Sequence, residues 1–185
     1  MNENDIKTNV QTRLARPALS FYHPNAKGSG CAVAFEMVPA RDRDAGCIFA
    51  TFARQKTIGS RTSEERIMPT FDWKNKLCVK LEIADLAQML QVFRGEIESI
   101  ADGKGLYHVS GVGSTVIRLE HRLEPVSGFS LDVVRKAIDG NSHLASIFFT
   151  TSEALAFSLA IEQSLGCLAF GIPTFADFRQ ERVGA

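Results

Sequence analysis

Lys76-Leu77-Cys78-Val79-Lys80-Leu81-Glu82-Ile83-Ala84-Asp85-Leu86-Ala87-Gln88-Met89-Leu90-Gln91-Val92-Phe93-Arg94-Gly95 is the stretch on which the fold class turns. It begins with alternation. Leu77, Val79, Leu81 and Ile83 point one way and Lys76, Cys78, Lys80 and Glu82 the other, as in a strand over 76–83 with one buried and one open face. The period then becomes helical. Leu86, Met89, Leu90 and Phe93 form an apolar stripe, Asp85 stands in the first turn, and Gly95 is placed to end the helix.

Upstream, alternation predicts strands over 18–22, 30–38 (ended by Pro39) and 46–56. Downstream it predicts strands over 106–110, 115–123, 129–135 and 144–150, although Leu131, Val134 and Ile138 would also let the third of these be a helix. A second helix follows. Thr150 and Glu153 make a capping box, Leu155, Leu159, Glu162, Leu165 and Leu168 come after it, and Gly171 is the C-cap before Pro173. The order ββββαββββα, built on antiparallel meanders, points to α+β and not α/β. Residues 1–16 read as a flexible arm, 17–172 as one domain, and 173–185 as a tail in which Phe175 and Phe178 dock locally.

Composition sets the outer limits. A chain of 185 residues, 45% of them apolar, supports one domain with a real core. Lys and Arg equal Asp and Glu at 21 each, so attraction for an anionic partner must come from local patches. No run approaches the length of uninterrupted apolar chain that spans a bilayer, so no membrane span is expected. The start of the chain lacks a secretory apolar region, and Glu3 and Asp5 speak against a transit peptide. A cytoplasmic protein is expected, nucleoid-associated if bacterial. Cys31, Cys47, Cys78 and Cys167 form no Cys-x-x-Cys pair and read as reduced, buried thiols. His23, His108, His121 and His143 show no metal-ligand spacing, and neither a nucleophile elbow nor a P-loop occurs. Gly111-Val112-Gly113 and Asp102-Gly103 read as turns. A non-enzyme without metal or cofactor is expected.

Positive charge is concentrated in two segments. Lys7, Arg13, Arg16 and Lys27 leave residues 7–27 at +4. Arg54, Lys56, Arg61, Arg66, Lys74, Lys76 and Lys80 against Glu64, Glu65 and Asp72 leave residues 54–80 at +4. By contrast, residues 82–102 set Glu82, Asp85, Glu96, Glu98 and Asp102 against Arg94 alone. A binding face for phosphates and ordinary surface scatter both fit this distribution. Phe52, Arg54 and Lys56 alternate onto one side of their strand as a candidate base platform, but Ile48 and Ala50 share that side, as in a core. Trp73, between Asp72 and Lys74, is either a core anchor or a stacking residue. Tyr107 and His108 lie on opposite faces, and Arg118 and Arg122 flank Glu120, as in a cationic strip or a cross-strand ion pair.

Several segments resemble the Whirly family of single-stranded DNA-binding proteins. Lys27-Gly28-Ser29-Gly30-Cys31-Ala32-Val33-Ala34-Phe35-Glu36-Met37-Val38-Pro39 resembles the family's Lys-Gly-Lys-Ala-Ala-Leu strand leading to Ser-Val-Glu-Pro, with serine in place of the second lysine. Phe71-Asp72-Trp73 is similar to the family's Tyr-Asp-Trp. Leu123-Glu124-Pro125-Val126-Ser127-Gly128-Phe129-Ser130-Leu131 resembles its strand, Glu-Pro turn and returning strand, which favours a strand over 129–135. The likeness runs colinearly over 17–172, and kinetoplastid mitochondrial guide-RNA-binding proteins share the topology. It implies two roughly perpendicular four-stranded antiparallel sheets with helices packed on one side, assembled as a homotetramer. It also implies single-stranded DNA, or else RNA, held across the sheets with little sequence choice. An oligomeric scaffold that has lost such binding is the alternative from another class. Joined to the charge pattern, the resemblance selects Lys27, Phe52, Arg54, Lys56, Trp73, Lys74, Lys76, Lys80, Tyr107 and Arg118 as candidate contacts.

Overall fold

The computed structural model describes residues 18–41, 44–62 and 65–171. The predicted arm over 1–16 and tail over 173–185 lie outside these residues. Alternation gives the first three strands, β1 (Ala18–His23), β2 (Cys31–Val38) and β3 (Cys47–Thr57), which pair antiparallel in that order. The chain then makes a short two-stranded ribbon, β4 (Ser60–Arg61) with β5 (Arg66–Ile67), and returns as β6 (Thr70–Phe71) and β7 (Leu77–Leu81). The sequence reading missed β4, β5 and β6, because two residues cannot display a period.

Both β6 and β7 lie on one edge of β3. Gln55 pairs with Phe71 and Phe52 with Leu77, so residues 72–76 loop out opposite Ala53 and Arg54 alone. The Asp72 N–H still donates to the Arg54 carbonyl at 2.8 Å. Oδ1 of Asp72 accepts from the N–H of Lys74 at 3.2 Å and of Asn75 at 3.3 Å, while Oδ2 accepts from Asn75 Nδ2 at 2.8 Å. This local alternative to the ladder makes a fixed turn of what would otherwise be continuous strand.

Helix α1 (Ile83–Phe93) begins earlier than the alternation suggests. The Asp85 carboxylate accepts from the Glu82 N–H at 2.8 Å, making Glu82 the N-cap and taking Ile83 out of the strand. The second half is a four-stranded antiparallel sheet of β8 (Leu106–Ser110), β9 (Gly113–Arg122), β10 (Gly128–Ala137) and β11 (Ser142–Thr150), ordered β11-β10-β9-β8. The ambiguous segment is thus the strand β10. Before β8, Asp102-Gly103 lies in a 3₁₀ turn with Ala101 and Asp102 at positive φ. Helix α2 (Thr151–Phe170) opens with the expected Thr150–Glu153 capping box and ends at Gly171, whose φ of 80° suits glycine.

One core joins these layers. The inward rows Phe21–Val33–Phe52–Leu77 and Leu119–Leu131–Ile147 meet Leu86, Met89, Phe157 and Ile161 of the helices. Phe35 stacks on Phe157 with ring centroids 3.9 Å apart, and Phe21 meets Phe149 edge-on at 5.1 Å. Helix α1 packs on β7 and β9, and α2 on β2, β10 and β11; Arg94 of α1 pairs with Glu162 of α2 at 2.6 Å. Two guanidinium groups also latch sheet to sheet. Arg54 Nη2 on β3 donates to the Leu144 carbonyl of β11 at 2.9 Å, and Arg135 Nη2 on β10 donates to the Cys78 carbonyl of β7 at 2.6 Å.

Contrary to the expectation of no membrane-length helix, α2 is long and apolar enough to cross one by length and composition, with a mean hydropathy of 1.2. Uninterrupted apolar runs miss it because Glu153, Ser158 and Glu162 break the sequence without lowering the average far. In this fold Ala154, Phe157, Ile161 and Leu168 of α2 are core residues.

Candidate functional site

The outward face of the first sheet is built from the alternate residues of its strands. Ser20, Ala34, Thr51 and Cys78 form one cross-strand row, and Ala18, Glu36, Phe49 and Lys80 the next. Small side chains therefore floor the middle of the face.

Tyr22, Ala32 and Ala53 form the row at one end. Ala32 and Ala53 are only 0% and 1% exposed although they face away from the core, so this end is roofed. Three rings stand there. Tyr22 meets Phe71 at 5.6 Å and Trp73 at 6.4 Å between centroids, both edge-on, and is itself 54% exposed. Phe71 arrives on β6, placed by its pairing with Gln55, and Trp73 on the turn that the Asp72 hydrogen bonds fix. The Asp72 carboxyl is held below its ordinary value, first by the Asn75 side chain, with the positive charge of Lys56 adding to the effect. Lys74 and Lys76, on the turn that carries Trp73, and Lys56 of β3 are exposed.

The loop from Pro24 to Gly30, which carries Lys27, is tied to β3 by one buried side chain. Gln55 Oε1 accepts from the N–H of Asn25 at 2.8 Å and of Gly30 at 3.1 Å, while its Nε2 donates to the carbonyls of Asn25 at 3.0 Å and Thr57 at 3.1 Å. Asn25 Oδ1 accepts from the N–H of Lys27 at 3.0 Å and of Ser29 at 3.1 Å. A Cβ on Gly30 would lie 2.3 Å from the His23 carbonyl oxygen and 2.4 Å from Gln55 Oε1, so glycine there permits the clasp. Lys27 is presented from a fixed loop, and a groove lined by Ser29, Cys31, Arg54, Leu144 and Ser146 runs beside it. Burial pushes the Cys31 thiol up to about 11.

The predicted residues therefore divide. Trp73 joins Tyr22 in the ring group; Lys74 and Lys76 are exposed on the turn that carries Trp73, the charge of Lys56 reaches Asp72 of that turn, and Gln55 ties the loop of Lys27 to β3. Arg54 sits at the seam between the sheets, where its guanidinium is a latch. Lys80 stands at the other end of the face, paired with Glu82 at 2.9 Å. Phe52 is corrected: it is 2% exposed, because its side of β3 is the inward side shared with Ile48 and Ala50.

Tyr107 and Arg118 belong to the second sheet. Tyr107 is 67% exposed and continues into the row Val116–Val134–Leu144, while His108 on the other face pairs with Asp85 at 3.2 Å. Arg118 is exposed, with Asp132 directly opposite on β10; Arg122 Nε donates to Glu120 at 2.6 Å. Sequence reasoning missed Tyr22, Phe71 and Gln55 as parts of the site. The alternation of β1 places Tyr22 opposite to buried Phe21, which was the available signal for one of them. Among the described residues no group of three or more His, Cys, Asp or Glu is arranged to hold a metal.

No protein-family model matches the chain, and no curated protein sequence does. Solved structures do. Four strands and a helix, repeated, are the order expected from the Whirly resemblance, and this chain adds three two-residue strands in its first half. WHY1 from Arabidopsis thaliana superposes with a TM-score of 0.64 at 17% identity, over 91% of this chain and 91% of that chain. The plant transcriptional regulator PBF-2 gives 0.59 at 16% identity, over 83% and 82%. A guide-RNA-binding protein in complex with its guide RNA gives 0.56 at 18% identity, over 84% and 93%. At these identities the likeness is one of fold, and it upholds the α+β reading and the Whirly-like topology.

Proposed function

We propose that the protein is a non-catalytic single-stranded DNA-binding protein with little sequence preference, acting where single strands are exposed in replication, recombination, repair or transcription. The observation that carries this reading is the Tyr22–Phe71–Trp73 ring group, with Lys74 and Lys76 exposed on the turn that carries Trp73, at the end of a floor of small side chains. Every base offers a flat face to an aromatic ring, and ammonium groups attract phosphates without reading sequence. RNA is the second reading, favoured by the similarity to a protein whose structure contains guide RNA.

We further propose a homotetramer. Its support is the solvent-facing side of α2, where Leu155, Leu159 and Phe170 are exposed beside uncharged Ala156 and Gly166, a face that another copy of the chain would cover.

The test is fluorescence anisotropy with labelled single-stranded DNA, single-stranded RNA and duplex at two salt concentrations. Single-strand binding that weakens with salt is expected, and its relative strength on DNA and RNA chooses between the two readings. No binding at low salt would overturn both and leave the scaffold. Light scattering reading a monomer would remove the tetramer.

A further inference from the structure

The loop motif Lys27-Gly28-Ser29-Gly30, with serine in place of the second lysine of the resembled motif, has no part in the ring group. It meets the opposite side of β3. Ala32 and Ala53 face outward toward the rings, whereas Cys31 and Arg54, the next register pair, face inward. There, where the core ends, the Lys27 loop and β11 wall a cleft of about 420 Å³ lined by Ser29, Arg54, Leu144 and Ser146. That is the size of a small-ligand site. Gln55 joins it to the rings, since it pairs with Phe71 in the ladder and also lines the cleft.

Three elements bring hydrogen-bond donors to this cleft. From β3 comes Arg54. Its Nη2 donates to the Leu144 carbonyl at 2.9 Å, which fixes the plane of the guanidinium, and among the described residues its other nitrogens have no partner. From β11 comes the N–H of Ser146. This strand pairs only with β10, and the Leu144 carbonyl turns away from that partner to meet Arg54; Ser146, two residues on, turns its N–H the same way. The Cys31 thiol registers that N–H, which opposes the burial that raises it. From the loop comes Ser29. Its Oγ accepts from Asn25 Nδ2 at 3.1 Å, while its own proton meets an acceptor, Asn25 Oδ1, only at 3.5 Å. The Ser146 hydroxyl is exposed beside them, and Lys27 is exposed on the same loop. No carboxylate lines the cleft, and no ion pair holds Arg54 among the described residues.

A fixed guanidinium fork, a backbone N–H and two hydroxyls, with no acid among them, select an oxyanion. A terminal phosphate offers three acceptor oxygens to donors on three sides. An internal phosphate offers fewer and needs room for chain to leave in both directions, which a cleft walled by the loop and by β11 does not favour.

We infer that this cleft takes the terminal phosphate of a strand whose neighbouring bases stack on the ring group. The inference rests on the single-strand reading above and adds to it a preference for phosphorylated ends. Arg54 and the Ser146 N–H hold phosphate oxygens from two sides, and Ser29 closes the third.

The test is an anisotropy titration of one internally labelled single strand in three forms: hydroxyl at both ends, phosphate on the 5′ end, and phosphate on the 3′ end. The wild-type protein, Ser29→Glu, Arg54→Gln and Trp73→Ala are compared, with circular dichroism melting to establish that each is folded; Ser29→Glu carries the test if loss of the latch unfolds Arg54→Gln. A phosphate on at least one end is expected to tighten binding about tenfold over the hydroxyl form. Ser29→Glu, which places a carboxylate in the cleft, and Arg54→Gln should each bring the two forms within about twofold of one another. Trp73→Ala should weaken both forms alike and keep their ratio. Equal affinity for hydroxyl and phosphate forms at both ends would overturn the terminal-phosphate inference alone. A gain that either folded cleft variant leaves intact would do the same, because the phosphate would then be answering general charge. So would a gain that Trp73→Ala removes, because the phosphate would then sit at the rings. Absence of binding to every form would overturn both readings.

Discussion

The two sheets have the same strand count in their main bodies and share one core, yet their outward faces differ in how they treat charge. On the first, Lys74 and Lys76 are exposed on the turn that carries Trp73, and the acid of that turn, Asp72, spends its carboxylate on Asn75 and on backbone N–H groups. On the second, Arg122 is paired with Glu120 and Arg118 faces Asp132 across the ladder, while Tyr107 continues into valines and a leucine. Exposed cations and rings occur on both. On the first sheet the exposed lysines share a turn with Trp73, whereas on the second Arg122 is held by Glu120, so register and pairing together set how each face meets an anionic, flat-based ligand.

The largest effect should come from removing what fixes the first face. Gln55→Leu leaves the N–H groups of Asn25 and Gly30 without their acceptor and should cost about 2–4 kcal/mol in urea unfolding. A loss below about 0.5 kcal/mol would mean the loop is held otherwise. Next, Trp73→Ala should weaken single-strand binding about five- to hundredfold, against less than about threefold for Tyr107→Ala. Equal losses would break the contrast between the faces. In the opposite direction, Glu120→Gln should free Arg122 on the second sheet and raise single-strand affinity about twofold at low salt, with the gain fading as salt rises.

The smallest effect concerns acid stability. Burial raises the Glu153 carboxyl, but the Thr150 N–H and the His23 and Thr150 side chains outweigh it and leave it below its ordinary value. A carboxyl lowered by folding contributes fully above its unfolded value and loses that contribution as pH falls through the folded value. Stability should therefore decline below the ordinary glutamate value of 4.5, and Glu153→Gln should flatten that decline in urea titrations taken across the acid range.

Much of the fold was legible because its signals are local. Leu77, Val79 and Leu81 are buried as their alternation requires, and the Thr150–Glu153 box opens α2 where expected. The site was less legible because it is assembled by register. Tyr22 and Phe71 touch only because β1, β2, β3 and β6 are neighbours in that order, and no window of sequence contains both. Phe52 was ambiguous for a related reason. Its alternation showed which residues shared a side but not which side faced inward, and its companions Arg54 and Lys56 escape the core only because the strand runs past its end.

The two arginine latches have a consequence for how this fold drifts through time. Arg54 and Arg135 grip carbonyl oxygens, those of Leu144 and Cys78, and not side chains. A backbone acceptor survives replacement of the residue that bears it, so positions 144 and 78 are free to change without a matching change at the arginine. A staple of that kind asks an evolving lineage to preserve one partner instead of two, and leaves no covarying pair to record it.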